Sequence, residues 1–209
     1  MTGLDTDTIA AIATARGNGP VGIIRLSGPD SLSIAVALSG SDLTPRFAHY
    51  RSFLDNESQA IDSGLAIYFP GPNSFTGEDV VEIQGHGGHI VLQALLSRCI
   101  ELGARPARPG EFSERSFING KIDLLQAEAI ADLITAETAT AAKLASASLS
   151  GAFSVLVSDL SNQLNELRAL TEASIDFPEE DIDVLERHSV LSRLCDCNAT
   201  IERLLNDVA

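Results

Sequence analysis

Two charged side chains that interrupt aliphatic strands are the strongest candidates for chemistry in this sequence. Arg25 lies in residues 21–26, which read VGIIRL, and Glu82 lies in residues 80–83, which read VVEI. A buried guanidinium requires a bidentate acceptor, because it is planar and always charged. On separate strands, this guanidinium and this carboxylate could bracket one polar heterocycle. The alternatives are a solvated side chain on an edge strand or a structural ion pair.

Lys121 is the third candidate and follows Asn119 and Gly120, at the junction between two parts of different composition. Domain junctions favour ligand sites. A surface lysine at the start of a helix fits the same pattern, so both interpretations stay open. Only one other lysine, Lys143, occurs in the chain.

A glycine-rich segment, residues 71–89 (GPNSFTGEDVVEIQGHGGH), must position Glu82. It contains a Gly-Pro-Asn-Ser turn, a short strand and a second turn whose glycines let a backbone or a ligand approach closely. His86 and His89 bracket that second turn and could bind a metal ion. A metal site is not expected, because no third and fourth ligand with suitable spacing lies nearby.

Several other patterns favour structural roles or exclude known devices. Cys195 and Cys197 lie two apart on a predicted helix, face different sides and are expected to pack in the core. The acidic run in residues 176–186 is expected to be a solvated turn rather than a magnesium site. The chain contains no G-x-x-x-x-G-K-[ST] phosphate loop and no G-x-G-x-x-G after a strand. No Ser-His-Asp arrangement is suggested, and we assign no catalytic residue and no metal ligand.

Composition and charge exclude broad classes of protein. The 209 residues are 44% apolar, and they contain no run of about 18 apolar residues that would span a membrane. The net charge is −15, divided into −5 up to residue 118 and −10 after it, so neither part has the basic surface of an autonomous nucleic-acid binder. The N-terminus lacks a secretory pattern, and three cysteines cannot all pair. These features predict a cytoplasmic protein.

The first part of the chain mixes strands, turns and helices. Runs of β-branched and aromatic residues predict strands over residues 21–26, 64–69 and 80–83. Helical periodicity and turn residues predict helices over residues 29–38, with Pro29 at the first position, and over residues 90–102 and 111–117.

The second part is predicted to be helical. Three apolar stripes at three-to-four spacing indicate three long amphipathic helices in an antiparallel, up-and-down bundle. Breaks are predicted at Ser150 and Gly151 and before Pro178, since proline disfavours a helical residue before it. The last stripe is still running at Ala209, as expected for a cut edge rather than a natural terminus.

Several long motifs carry a resemblance to a known family. They lie at residues 7–9, 22–28, 71–79, 82–88, 108–115, 119–134 and 173–178. On these motifs the chain resembles, from end to end, the MnmE (TrmE) family of tRNA modification GTPases. The resemblance implies an α+β chain: an N-terminal α/β folate-binding domain similar to that of the glycine-cleavage T-protein, followed by a helical domain.

The resemblance also implies what the chain lacks. In that family a G domain is inserted into the helical domain, and further helices and a cysteine motif follow. This sequence stops where the G domain would start, so residues 1–118 are expected to form the folate-binding and dimerisation domain, and residues 119–209 the first part of the helical domain. GTP hydrolysis, with its need for magnesium and potassium, would then belong to the intact protein, and this chain alone is not expected to hydrolyse GTP.

A ligand follows from the resemblance: 5-formyltetrahydrofolate or a related tetrahydrofolate. The matching contacts are Arg25, Glu82 and Lys121. Glu82 can accept two hydrogen bonds from the amino group and ring N–H of a pterin, and Arg25 and Lys121 can donate to carbonyl or carboxylate groups of the folate. The loop of residues 73–77 and the turn of residues 85–88 are expected to line the pocket.

The resemblance further implies partners and a reaction. Members of the family form a homodimer through their N-terminal domains. With the flavoprotein MnmG (GidA) they add an aminomethyl-type group, such as carboxymethylaminomethyl, to carbon five of the wobble uridine in certain tRNAs. The negative charge agrees with a complex in which the partner holds most of the tRNA phosphate.

Two other functions stay open. The chain could be a stand-alone folate-dependent aminomethyltransferase, for which Asp79 is the nearest candidate acid or base. It could also be an assembly module without a ligand, whose helices recruit partners.

Overall fold

The computed structural model describes residues 7–15, 17, 19–176 and 184–208. It divides into two compact units, Met1–Asp123 and Leu124–Ala209. Residues just after position 118 form hydrogen bonds with earlier residues of the first unit. The side-chain amide of Asn119 donates to the carbonyl oxygen of Thr76 at 2.7 Å, and the backbone N–H of Lys121 donates to the carbonyl oxygen of Ser116 at 2.8 Å. The domain boundary between residues 118 and 119 stays a prediction.

The described part of the first unit is built on a six-stranded mixed sheet with the strand order β3-β4-β5-β2-β1-β6. The strands are β1 (Ile9–Ile12), β2 (Gly19–Ser27), β3 (His49–Leu54), β4 (Ala60–Phe69), β5 (Val80–Gly87) and β6 (Arg105–Pro106). Neighbouring strands are antiparallel except β1 and β6, which run parallel. The strands that carry Arg25 and Glu82, β2 and β5, are neighbours in the middle of the sheet.

Three helices accompany this sheet: α1 (Ser31–Ser39), α2 (His89–Glu101) and α3 (Glu111–Ile118). Helix α1 begins at Ser31 and not at Pro29 as predicted. The hydroxyl of Thr8 accepts from the backbone N–H of Asp30 at 2.8 Å, and the carbonyl oxygen of Gly28 accepts from that of Ser31. These bonds hold residues 28–31 as a turn before the helix starts.

The hydrophobic core lies on one face of the sheet. Side chains alternate along a strand, so Ile24 and Leu26 of β2 share a face with Val81 and Ile83 of β5, and all four are buried. Helices α1 and α2 contribute to the same core Ile34, Ala35, Leu38, Leu92, Leu95 and Cys99. Consequently the intervening positions, which include Arg25 and Glu82, belong to the opposite face.

The second unit is helical, with α4 (Leu124–Thr135), α5 (Ala139–Leu149), α6 (Ala152–Asp176) and α7 (Val184–Val208). The prediction of three helices was wrong, because residues 124–149 form two. The predicted first helix is divided at Thr138, which caps the N-terminus of α5. Its side chain accepts from the backbone N–H of Ala141 at 3.1 Å. The predicted break at Ser150 and Gly151 is confirmed, and Gly151 adopts a φ of +83°. The predicted fold class, α+β with a helical second part, is confirmed.

Two smaller predictions concern the second unit. Cys197 is buried, as expected, but Cys195 is exposed, so core packing was predicted correctly for only one of them. The acidic run lies largely outside the described residues.

No single helix among the described residues is long and apolar enough to cross a membrane. One bent pair, Ala139–Leu149 with Phe153–Ala173, meets the length and composition criteria only when the two helices are taken together.

Candidate ligand-binding site

Arg25 and Glu82 form a direct ion pair across the two central strands. They occupy opposite positions of β2 and β5, and the Arg25 Nε and Nη2 atoms donate to Glu82 Oε1 at 3.0 and 2.7 Å. The two side chains are 29% and 17% exposed. Both bonds use one carboxylate oxygen, so Glu82 Oε2 and Arg25 Nη1 have no hydrogen-bond partner within the described part of the chain. The pair therefore keeps an acceptor and a donor for a further molecule.

The strand order decides between the alternatives for Arg25. Because β2 lies between β5 and β1, Arg25 is not an edge-strand residue, and that alternative was wrong. The ion-pair alternative describes the observed contact. The guanidinium and the carboxylate form direct hydrogen bonds with each other. They are not separated by a gap that a heterocycle could fill.

Two aromatic rings stand beside this pair. The Arg25 Cζ atom lies 5.5 Å from the centre of the Phe75 ring and 5.8 Å from the centre of the Phe112 ring. Phe75 belongs to the loop of residues 70–79, and Phe112 belongs to α3. At these distances the cation is attracted to the ring faces, so the rings help to fix the guanidinium.

The loop of residues 70–79 is fastened at several points. The hydroxyl of Ser116 donates to the carbonyl oxygen of Phe75 at 2.7 Å, and Asn119 holds the next carbonyl, that of Thr76. At the loop's base, Asp79 Oδ1 accepts from the backbone N–H of Gly71 at 2.9 Å. The loop is thus tied to α3 and closed on itself, which fixes the backbone that carries Phe75.

Lys121 joins this group through the loop and not through the ion pair. Gly77 adopts a φ of +78°, and a Cβ placed there would lie 3.2 Å from the Cγ and Cδ atoms of Lys121. The lysine stem therefore runs across Gly77, while the residue as a whole is exposed. The structure brings Arg25 and Glu82 into contact and places Lys121 against the loop whose Phe75 ring lies beside that pair.

Sequence reasoning missed an ionic network, two of whose members, Glu111 and Arg115, are buried. Glu111 is 1% exposed, and its two carboxylate oxygens accept from Arg105 at 2.7 and 3.1 Å. Arg105 also donates to Asp7 at 2.6 Å. Arg115, one helical turn after Glu111, donates to Asp7 at 2.7 Å. The only signal was the density of charge in residues 108–115, RPGEFSER.

This network reaches the loop through Glu78. The Arg115 guanidinium lies 3.2 Å from Glu78 Oε2, which also accepts from the hydroxyl of Ser27 at 2.7 Å. The hydroxyl proton of Ser27 is used in the bond to Glu78. In the contact between Ser27 Oγ and Thr76 Oγ1, at 2.6 Å, Thr76 is therefore the donor. A continuous set of polar contacts therefore joins β2, the loop and α3.

The charges of the network stabilise one another. Hydrogen bonds from Arg105 outweigh burial and lower the pKa of Glu111 to about 2. Hydrogen bonds from Arg105 and Arg115 similarly lower the pKa of Asp7 to about 2. Burial alone would lower the pKa of Arg115, but its bonds to Asp7 and Glu78 raise it. All four groups are therefore charged at neutral pH.

His86 forms a separate contact at the end of β5. Its Nδ1 lies 2.7 Å from Asp62 Oδ1, and its backbone N–H donates to Asp62 Oδ2, also at 2.7 Å. Burial raises the pKa of Asp62, but the bonds from His86 outweigh it and the pKa is lowered. The residues that the structure describes contain no group of three or more His, Cys, Asp or Glu side chains arranged to hold a metal ion.

Asp79, the candidate acid or base of the transferase alternative, has structural partners. Besides accepting from Gly71, it lies beside Tyr68, whose pKa is raised by burial and by this carboxylate. Its backbone carbonyl accepts from Gly28 at 3.0 Å. Asp79 therefore closes the base of the loop.

A cavity of about 720 Å³ lies elsewhere in the first unit, between β1 and α2. It is lined by Ala10, Ala11, Ile12, Thr14, Ala15, Gly17, His89, Leu92, Gln93, Leu96, Pro106 and Ala107. None of Arg25, Glu82 and Lys121 is among these residues. The candidate polar groups therefore lie outside this apolar cavity.

Comparison with known proteins decides the family. Residues 8–121 match the family model described as the GTP-binding protein TrmE N-terminus, and residues 124–209 match the MnmE helical domain. The chain belongs to the TrmE (MnmE) family. The resemblance predicted from the sequence motifs is thereby confirmed.

Curated relatives named tRNA modification GTPase MnmE cover most of this chain. The protein of Pseudomonas fluorescens Pf0-1 is 63% identical over 188 residues, which are 90% of this chain and 41% of the relative. That of Pseudomonas syringae pv. syringae B728a is 59% identical over 201 residues, 96% of this chain and 44% of the relative. That of Pseudomonas aeruginosa UCBPP-PA14 is 62% identical over 189 residues, or 90% and 42%. The chain spans about two fifths of the length of these relatives.

Proposed function

We propose that this chain is the folate-binding and helical portion of a tRNA modification GTPase. Its first unit binds 5-formyltetrahydrofolate or a related tetrahydrofolate through Arg25, Glu82 and Lys121. The folate supplies a one-carbon unit when bound, and the chain's residues bind and orient it without supplying a catalytic group. Residues 1–118 serve as the folate-binding and dimerisation domain, and residues 119–209 as the first part of the helical domain.

The observation that carries this proposal is the unused half of the Arg25–Glu82 pair. The pyrimidinone edge of a pterin presents an amino group and a ring N–H, which are donors, next to a carbonyl oxygen, which is an acceptor. Glu82 Oε2 is available as an acceptor and Arg25 Nη1 as a donor, since both existing bonds go to Glu82 Oε1. This acceptor and this donor on the protein are therefore complementary to the donors and the carbonyl oxygen of that edge.

Lys121 supplies a positive charge for another part of the same ligand. Its stem lies across Gly77, on the loop that holds Phe75 beside Arg25. A folate carries a carboxylate tail, and an ammonium group at the rim of a site can pair with a carboxylate without being buried. Arg25 and Glu82 then select the head of the ligand, and Lys121 stabilises a carbonyl or the tail.

The remaining functions belong to the intact protein. By this proposal GTP, magnesium and potassium act in the intact GTPase, since these 209 residues contain no G-x-x-x-x-G-K-[ST] phosphate loop. The chain works in the cytoplasm as a homodimer formed through the first unit, together with the flavoprotein MnmG (GidA), to build an aminomethyl-type group on C5 of the wobble uridine. The net charge of −15 supports a division of labour in which the partner neutralises most of the tRNA phosphate.

The test is a calorimetric titration of the Glu82→Gln variant with 5-formyltetrahydrofolate. The substitution keeps the side-chain shape but replaces a charged acceptor by a neutral amide, so binding should weaken by about 1–3 kcal/mol. Glu57→Gln is the matched control, because Glu57 is an exposed carboxylate of the same unit, in the turn between β3 and β4. Equal affinity of the wild-type and Glu82→Gln chains would contradict the assigned role.

A thermal-shift titration separates this function from the assembly-module alternative. A ligand that binds only the folded state raises the melting temperature as its concentration increases. We expect such a rise with 5-formyltetrahydrofolate for the wild-type chain. No rise at any concentration would favour a module without a ligand.

A further inference from the structure

We propose that Phe75 is a stacking residue that selects a flat heterocycle at the Arg25–Glu82 pair. This inference rests on the proposed folate-binding function and goes beyond the three polar contacts that define it. The ligand class is a molecule with a planar 2-amino-4-oxopyrimidine ring, as found in pterins.

The first observation is where the ring of Phe75 lies. Its centre is 5.5 Å from the Arg25 Cζ atom, and Arg25 in turn bonds to Glu82 at 2.7 Å. A heterocycle that pairs with Glu82 Oε2 or Arg25 Nη1 therefore comes within reach of this ring. Aromatic rings whose centres lie about 4.5–7 Å apart prefer offset stacking or edge contact, which favours a flat partner.

The second observation is that Phe75 is exposed although its backbone is fixed. The residue is 39% exposed, whereas Phe53 of the same unit is fully buried in the core. The carbonyl oxygen of Phe75 is held by Ser116 at 2.7 Å, and the following residue, Thr76, is fully buried and bonded to Ser27. A ring presented on a fixed backbone loses little conformational freedom when a ligand binds.

The third observation is that the ionic network holds the other side of the loop. Glu78, three residues after Phe75, pairs with Arg115 at 3.2 Å, and Arg115 is tied to Asp7. Phe75 is therefore anchored through residues on both β2 and α3. Phe112 of α3 completes the aromatic surroundings of Arg25 at 5.8 Å.

The test compares three variants of the full 209-residue chain in titrations with 5-formyltetrahydrofolate. Phe75→Ala removes the ring, and we expect an affinity about tenfold lower than wild type. Phe75→Leu keeps apolar bulk, and its affinity should be about threefold lower than wild type. This variant tests the role of the ring even if the alanine variant does not fold. Phe47→Ala is the matched control, because Phe47 is 60% exposed in the same unit, and it should bind within about twofold of wild type.

Competition with fragments separates stacking from a general loss of structure. In Phe75→Ala, the inhibition constant of a pterin without its tail should be higher than in wild type. The inhibition constant of 4-aminobenzoylglutamate should be the same in both proteins. Unchanged folate affinity in Phe75→Ala and Phe75→Leu, or an equal loss for both fragments, would overturn the inference. Failure of the wild-type chain to bind any folate would instead overturn the proposed function itself, so the two failures are distinguishable.

Discussion

The Arg25–Glu82 contact depends on the shape of arginine as well as on its charge. Two nitrogens of one planar fork, Nε and Nη2, donate to a single oxygen of Glu82. The same plane lies near the rings of Phe75 and Phe112. A lysine has a comparable charge but no fork and no planar face, so it can replace only part of these contacts.

Arg25→Lys should therefore weaken binding of 5-formyltetrahydrofolate by about tenfold, which corresponds to about 1.4 kcal/mol. The melting temperature without ligand should change little, because the pair is partly exposed and such pairs contribute modestly to stability. Calorimetry and a thermal melt measure the two quantities.

Arg168→Lys is the control for that substitution, since Arg168 lies on α6 and its side chain is 73% exposed. It should leave both folate affinity and melting temperature unchanged. If Arg25→Lys behaved like this control in the titration, the guanidinium fork would have no part in binding.

Single residues were only partly predictable from the sequence. Arg25 and Glu82 stood out because a charge inside an aliphatic strand needs an explanation. The near-complete burial of Glu111 had no comparable signal, because its partners Arg105 and Asp7 are brought to it by the fold. Burial of a charge depends on such partners, and these are not adjacent in sequence.

At the scale of elements, the pairing of β4 with β5 requires a glycine at position 64. A Cβ placed on Gly64 would lie 1.9 Å from the carbonyl oxygen of Gln84 on the neighbouring strand. A separation that short is impossible for real atoms, so the two strands would have to move apart. Their pairing includes Ile67 opposite Glu82, and the strand that carries Glu82 would shift with it.

Gly64→Ala should consequently lower the free energy of unfolding of the first unit by more than about 2 kcal/mol. Urea unfolding followed by tyrosine fluorescence measures this unit alone, because the chain has no tryptophan and its two tyrosines are Tyr50 and Tyr68. Gly88→Ala is the control: the nearest atom to its added Cβ, on Val91, is 3.8 Å away. Equal midpoints for the two variants would contradict the close approach.

Elements were predicted best where the local signal was strong. The strands over residues 21–26, 64–69 and 80–83 and the helices over 90–102 and 111–117 agree with β2, β4, β5, α2 and α3 within a few residues at most ends. The short β1 and β6 and the polar edge strand β3 were not predicted. Strands of that kind form because a neighbour offers hydrogen bonds, which is not a local property.

At the scale of the whole first unit, the ionic network makes stability depend on pH. The carboxylates of Glu111 and Asp7 have ordinary pKa values of 4.5 and 3.8, and both are lowered to about 2 in the folded protein. A lowered pKa means that the folded state binds protons less readily than the unfolded state. The stabilisation is complete above about pH 4.5 and is lost as the pH falls towards 2.

Glu111→Gln tests this dependence. The variant should be about 2–4 kcal/mol less stable at pH 7, because Arg105 and Arg115 lose a buried partner. Its free energy of unfolding should then fall less steeply than that of wild type between pH 4.5 and 2. Urea unfolding at a series of pH values, followed by tyrosine fluorescence, measures both effects.

Glu101→Gln, which alters an exposed pair on α2 with Arg98, should keep the wild-type pH profile. If the Glu111→Gln profile were as steep as the wild-type profile, the network would not be the source of the acid sensitivity.

The sequence by itself determined the local conformations and the candidate residue types. β-branched runs specified the central strands, apolar periodicity specified the long helices, and glycine specified the break at Gly151, because each depends on residues close in the chain. The motifs also sufficed to predict the family that residues 8–121 and 124–209 match.

Only the tertiary structure decided how the candidate residues meet. Arg25 and Glu82 are 57 residues apart, and Asp7 is 108 residues from Arg115. Their contacts depend on strand order and register, which are fixed by packing of the whole sheet against its helices. For the same reason the charged side chains that hold the loop with Phe75, among them Glu111 and Arg115, became visible as a network only in the folded chain.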